Sequence, residues 1–384
     1  MRLALCTLAL LLFAPLARAA EPQLDHFKHG INLSHWYAQT LVGNYDEAHL
    51  GGYFTERDAE LVKDMGFDHV RLTLNQTVLF DADNPGNLKA GNLAKFRERM
   101  AWFLDRGVNV IVDLHPDDPY KESLHDDSNA EAFVKDWASL AAALADTDPA
   151  RVWFEIMNEP ASSWAPGSGW RELQGRAVAA IREAAPQHTI VVSAGGWTDA
   201  YSLAGNPGVD GAAKVGPFEP YDDANLVYTF HYYDPHLWTH QGAGWAWEVA
   251  QRVRNIPWPV DPNDADKVAA AAVEKGDDEA YGHVKYHAEN GRFGEAYVDD
   301  LLDQVKAWQD EHGVTVYVGE FGSYGPPTPR DARLAWTKYV ASQFEARGWG
   351  WAMWDYAGGF AVAVGEPGER EADEEMLDAL GLSR

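Results

Sequence analysis

The sequence predicts an α/β protein: a (β/α)8 TIM barrel with a small insertion between strand 6 and helix 6. Three observations carry that expectation. Strand-like apolar runs and amphipathic helix-like runs alternate eight times along the chain, the pattern of a parallel sheet crossed over by helices. The run Val152-Trp153-Phe154-Glu155-Ile156-Met157 reads as a buried strand and ends on Asn158-Glu159-Pro160, where proline stops ladder pairing. A second such run, Val314-Thr315-Val316-Tyr317-Val318-Gly319, ends on Glu320. Polar residues at the carboxyl ends of barrel strands are where this architecture keeps its chemistry.

Taken in order, residues 31–33 form a short first strand. Thr55 caps a helix over 55–65, and Asp58, three residues on, completes a pair like a capping box. Residues 67–74 are the second strand and 92–106 the second helix, ended by Gly107. The third strand covers 108–114, followed by a helix over 129–145. The central strand, 152–157, leads to a helix over 168–185. The fifth strand, 188–193, has only a weak helix behind it. The sixth is 226–232, and its helix is delayed to 295–311. The intervening 234–290, rich in Trp, Pro, Asp and Ala, reads as a small insertion on the catalytic face. A strand at 314–318, a helix at 331–346, a strand at 348–354 and a short last helix at 374–380 complete the set.

Composition narrows the function. The chain has 384 residues and is 46% apolar, enough for one large domain, 21–384, with a sizeable core. Arg2, the apolar run 3–16 and Ala17-Arg18-Ala19 make residues 1–20 a secretory signal peptide, cleaved near Ala19-Ala20. A lipoprotein signal through Cys6 fits less well, because Cys6 precedes the end of the apolar run and follows Leu5. The mature protein is therefore expected in the periplasm or secreted. Cys6 is the only cysteine, so disulfides, thiol catalysis and cysteine-based zinc sites are excluded from the mature chain. A formal charge of −28 opposes binding to nucleic acid or an anionic membrane but suits a neutral polymer such as a β-glucan. A monomer without cofactor or metal is expected.

Side chains alternate along a strand, so parity assigns the inward ones. Val70, Leu72 and Leu74 share the face that packs on helices, which turns Arg71 inward, where a buried guanidinium needs a carboxylate. Beside a nucleophile it would keep that group ionised; a purely structural ion pair is the alternative. Asp113 and His115 likewise face inward, His115 at the strand end and Asp113 as a structural partner below it. His231 and Tyr233 share a face. Gly350, Ala352 and Trp354 share another, with room beneath a Trp able to stack on a sugar ring. Glu155 shares the inward face with Glu159 but lies about 13 Å lower at ~3.3 Å per residue. A retaining pair of carboxylates stands about 5–5.5 Å apart, so Glu155 reads as a buried structural acid.

Together Arg71, His115, Asn158, Glu159, His231, Tyr233, Glu320 and Trp354 resemble the active-site set of glycoside hydrolase family 5 (cellulase family A), in order and at the right strand ends. The likeness spans roughly 30–354. It implies Glu159 as acid/base and Glu320 as nucleophile of a retaining hydrolase, with Asn158 on the sugar 2-hydroxyl and Tyr233 bonded to the nucleophile. It also implies that Arg71, His115 and His231 orient the carboxylates, that Trp354 floors the subsite before the scissile bond, and that Trp354-Asp355 is cis. The stretch 230–235 with Thr239-His240-Gln241 resembles bacterial endoglucanases with an inserted subdomain. Trp238, Trp245, Trp247 and Trp258 then wall the cleft or build a mini-core.

The expected activity is an exported endo-β-1,4-glucanase acting on β-glucan polysaccharide or oligosaccharide. A β-mannanase, xyloglucanase or β-1,3-glucanase on the same barrel is the nearest alternative, and a non-catalytic glycan-binding protein a more distant one. The pairs His236/His240 and His283/His287 have a metal-binding spacing but no carboxylate base between them. Asp81-Ala82-Asp83-Asn84-Pro85-Gly86 begins like a calcium loop, yet Pro85 takes a ligand position and Asn92 stands where Glu is required, so it reads as a turn. Asp277, Asp278 and Glu279 read as a solvated loop.

Overall fold

Eight strands close on themselves in sequence order: β1 His29–Asn32, β2 His69–Leu74, β3 Asn109–Leu114, β4 Val152–Glu155, β5 Ile190–Ser193, β6 Leu226–Tyr232, β7 Thr315–Phe321 and β8 Gly350–Met353. Each runs parallel to the next, and β8 pairs back onto β1, Gly30 opposite Ala352. The computed structural model describes residues 22, 24–164, 167–206 and 214–382; the expected signal peptide at 1–20 lies outside them. The fold is the (β/α)8 barrel.

Strand parity governs both sides of the wall. Val70, Leu72, Leu74, Val110, Val112 and Leu114 are buried outward against helix residues such as Phe96, Phe103, Phe133 and Trp137. Inside, Ile111, Trp153, Val191, Val227, Tyr317 and Ala352 form an apolar floor, sealed by Phe27, whose ring stacks 3.7 Å from Trp153. Burying such a side chain stabilises by roughly 1.5–3 kcal/mol. The charged network of the barrel lies above this floor, towards the carboxyl ends of the strands, while His69 at the start of β2 bonds the Tyr317 hydroxyl at 2.6 Å within it.

The helices behind the strands lie close to the expected places: Glu56–Asp64, Ala90–Asp105, Asp127–Leu144, Trp170–Ala184, Glu295–His312, Arg330–Ala346 and Glu374–Ala379. Asp58 accepts from the Thr55 backbone N–H at 2.8 Å and from its hydroxyl at 2.7 Å, closing the helix start. Among the described residues behind β5 stand a 3-10 turn, Gly196–Thr198, and the five-residue helix Ala200–Ala204. Trp354 falls just past β8 rather than within it. Short helices not read from the sequence, such as Gln76–Leu79 and Asp118–Ser123, occupy loops above the barrel. Between β6 and Glu295 lie four α-helices, His236–Thr239, Glu248–Arg252, Ala265–Ala272 and Asp278–Glu289, and a 3-10 turn at Pro262–Asp264. The tryptophans here divide. Trp238 and Trp258 are buried in the main core, 5.7 Å from Trp336 and 5.6 Å from Tyr339 of the helix Arg330–Ala346, rather than in a core of their own. Trp245 and Trp247 are 65% and 45% exposed. Among the described residues no helix is long and apolar enough to cross a membrane.

Candidate active site

Arg71 organises the polar layer. Its guanidinium grips Glu155 with two bonds of 2.8 Å, donates to Glu320 at 2.7 Å, and reaches Asn32 and Asn158 at 2.9 Å each. Asp113 adds a contact at 3.1 Å. With no surface exposed, such a cation requires these partners, because burying an unpaired charge costs several kcal/mol. Glu155 is thus the structural acid that its depth in the barrel implied.

Glu320 reaches the mouth through an irregularity. On β7, Val316 and Val318 pack outward and Tyr317 inward, so strict alternation would turn Glu320 out. Instead Phe230 pairs with Val318 and His231 with Glu320, leaving Gly319 as an extra residue. The bulge resets the parity, bringing Glu320 in and sending Phe321 out to the helices. Glycine is required at this point: a Cβ on residue 319 would lie 2.6 Å from the Thr229 hydroxyl and 3.0 Å from His231 Nε2.

Glu159 arrives differently. β4 ends at Glu155, and the chain runs on to Glu159 in a left-handed conformation, φ +42°. Its carboxyl stays 24% exposed towards the cleft, against 5% for Glu320. His231 Nδ1 lies 2.8 Å from Glu159 and 3.5 Å from Glu320, and the three groups' closest atoms fall within 4.8 Å of one another. Tyr233 donates its hydroxyl to Glu320 at 2.7 Å. Trp354, stacked on His115 with centroids 5.6 Å apart, closes the other side, and the peptide to Asp355 is cis.

Burial dominates the electrostatics. It pushes Glu320 up to about 7, Glu159 adding to the rise while His231, Arg71 and Tyr233 oppose it. Arg71 does lower the Glu320 pKa, as its position beside the nucleophile implied, but desolvation outweighs the guanidinium and the net shift is upward. Burial also raises Glu159 and keeps both histidines neutral, His231 pushed down to about 4 and His115 well below its ordinary value. Of the two glutamates, only Glu320 touches both a fixed cation and a phenol donor, so the anion settles there and the shared proton on Glu159.

All eight expected residues meet at this mouth, with one correction. His115 touches neither Glu159 nor Glu320; it bridges Asp113 at 2.9 Å and the Asn158 amide at 3.1 Å, and so orients Asn158. Sequence reasoning missed Asn32, which accepts from Arg71 and donates to the Gly319 carbonyl at 3.0 Å, tying β1 to the bulge. A lone polar side chain between Ile31 and Leu33 was the available signal. It also missed Ser34, whose hydroxyl donates to Asp355 at 2.5 Å. Apart from Glu159, His231 and Glu320, already committed to one another, no three His, Cys, Asp or Glu side chains among the described residues come close enough to share an ion.

Comparison with known proteins agrees with this geometry. Residues 43–359 match the family model described as cellulase (glycosyl hydrolase family 5). Endoglucanase C of Acetivibrio thermocellus is 25% identical over 337 residues, covering 86% of this chain and 91% of that protein. Cellodextrinase A of Ruminococcus flavefaciens is 24% identical, covering 83% and 82%. A hyperthermophilic endo-beta-1,4-glucanase solved with substrate superposes with a TM-score of 0.71 at 23% identity, covering 93% of this chain and 97% of that one. Cel5A of Thermotoga maritima, solved with cellobiose, gives 0.70 at 23% identity, covering 93% and 98%. The chain belongs to glycosyl hydrolase family 5 and is a retaining glycoside hydrolase.

Proposed function

We propose that the protein is an exported, endo-acting β-1,4-glucanase in which Glu320 is the nucleophile and Glu159 the acid/base. The observation that carries this reading is the approach of the two carboxyls to within 4.8 Å across the mouth, the spacing of double displacement and too close for a water between them. A Glu320 oxygen attacks the anomeric carbon as the glycosidic bond breaks, and the Glu159 proton passes to the departing oxygen. Glu159 then takes a proton from water, whose oxygen displaces Glu320 and regenerates the configuration. Neutral His231 shares its Nδ1 with Glu159 through both steps, and Tyr233 steadies the attacking oxygen. Asn158, oriented by His115, takes the sugar 2-hydroxyl above Trp354 in this reading.

Support for β-1,4-glucan comes from relatives named endoglucanases and from similar structures solved with cellobiose. Support for export comes from residues 1–20. The test is reducing-end release from carboxymethylcellulose, lichenan and galactomannan by protein recovered from periplasm or medium with its N-terminus near Ala20. Glucans are expected to be cut and galactomannan spared. Glu320→Gln and Glu159→Gln are each expected to lose at least about a thousandfold in kcat, in the range that removal of a covalent or general-acid group produces. Normal turnover by Glu320→Gln excludes the assignment.

A further inference from the structure

A buried lysine on the loop helix after β3 has no role in the steps above. Lys121 lies on the helix Asp118–Ser123 just after β3 and is only 3% exposed, although lysine is among the side chains least often buried. Its Nζ donates to Asp118 at 3.2 Å and sits 5.3 Å from the centre of the Trp197 ring. Trp164 pins the turn, its indole N–H donating to the Lys121 carbonyl at 2.8 Å. Trp197 in turn is tied to the Glu159 segment, because its backbone N–H donates to the Pro160 carbonyl at 2.7 Å. The ammonium is thereby linked, through Trp197, to the segment that carries Glu159.

We propose that Lys121 is a positioning residue for proton transfer, its charge setting how readily Glu159 gives up and regains a proton in the two half-reactions. The inference rests on the reading of Glu159 as acid/base. A buried carboxyl left alone holds its proton tightly: it can serve the first half-reaction but is a poor base for the second. A fixed cation corrects this imbalance. The charged and titratable groups facing Glu159 are Arg71 from β2, Asp113 from β3 and His115 after it, Asp118 and Lys121 from the loop helix, Asp199 after β5, His231 and Tyr233 from the end of β6, and Glu320 from β7. Among the charges acting on Glu159, Lys121 opposes burial most, and Asp118 acts in the opposite sense. The same charge acts at longer range on Asp113, His115 and His231, lowering each.

The two neighbours give a test with opposite signs. Removing the cation must raise the proton affinity of Glu159, and removing the Asp118 anion must lower it. In kcat/KM against pH on a soluble cello-oligosaccharide, Lys121→Met is expected to move the alkaline limb up by about half a unit or more. Lys121→Arg should keep the wild-type limb, and Asp118→Asn should shift it down. A merely structural lysine would alter stability but leave the limb in place. Unmoved limbs in both Lys121→Met and Asp118→Asn, or shifts in the same direction, overturn the proposal. If Lys121→Met does not fold, Asp118→Asn still reports the sign, since that side chain is 63% exposed. Carbon-13 titration of the Glu159 carboxyl, assigned with Glu159→Gln, needs no substrate. It decides the role of Lys121 even if the wild type cuts no β-1,4-glucan, so the two readings fail separately.

Discussion

Glu159 holds its carboxyl in place at the expense of its own backbone. A left-handed φ of +42° is unfavourable for any residue with a Cβ, by about 1–2 kcal/mol, and the following Pro160 favours an extended conformation instead. Glycine avoids that penalty. Glu159→Gly is therefore expected to be inactive yet more stable than Glu159→Ala by about 1 kcal/mol, measured by urea unfolding. Single residues were legible where a polar side chain interrupts an apolar strand: parity turned Arg71, Asp113 and Glu155 inward, and all three meet there. What parity cannot give is a partner. His115 chose Asn158 over the carboxylates because its ring spans from Asp113 to that amide. Lys121 gave no signal, since a lysine in a polar loop reads as solvated until Trp164 and Trp197 are seen to enclose it.

At the level of elements, the decisive feature is the bulge of β7. Alternation extended from Tyr317 would have sent Glu320 outward, so its position depends on Gly319 as an unpaired residue. Gly319→Ala is expected to press on Thr229 and His231, destabilising by about 1–3 kcal/mol. It should also lower kcat at least tenfold, with a smaller change in KM; unchanged kinetics would mean that the bulge does not aim the nucleophile. The strand was legible from its apolar run, but a bulge leaves little trace in sequence beyond an isolated glycine. The helices between β6 and Glu295 were harder still. Their Pro, Asp and Trp content masks short helical segments, and composition could not separate buried Trp238 and Trp258 from exposed Trp245 and Trp247.

For the molecule as a whole, closure of the barrel places unusual carboxyls inside a strongly acidic chain. Burial pushes Asp113 up to about 7 and Asp234 to about 8, and raises Glu159, which carries the proton shared with Glu320. Each binds its proton more tightly folded than unfolded, so its contribution is present at low pH and lost as pH rises through the folded value. Buried histidines act oppositely, but their loss falls below their ordinary value near 6.5. Between about pH 7.5 and 8.5, where an unfolded histidine is already about nine-tenths neutral, the carboxyl slope dominates, reinforced by self-repulsion at a net charge of −28. Tm is expected to fall by several degrees across that window in calorimetry; a flat or rising Tm would contradict the buried proton uptake. Eight alternating strand and helix segments made the closed architecture legible, because a closed parallel barrel is a direct way to bury that many apolar strands.

Three acids crowd one guanidinium at the centre of this mouth. Even when Asp113 keeps its proton, Glu155 and Glu320, once ionised, leave an excess of negative charge. A resting sugar ring, being neutral, gains little from that excess. As its bond stretches, the ring takes on oxocarbenium character, and the same imbalance becomes attractive. The arrangement thus discriminates in favour of the fleeting cationic species over the glucan that enters and the fragments that depart.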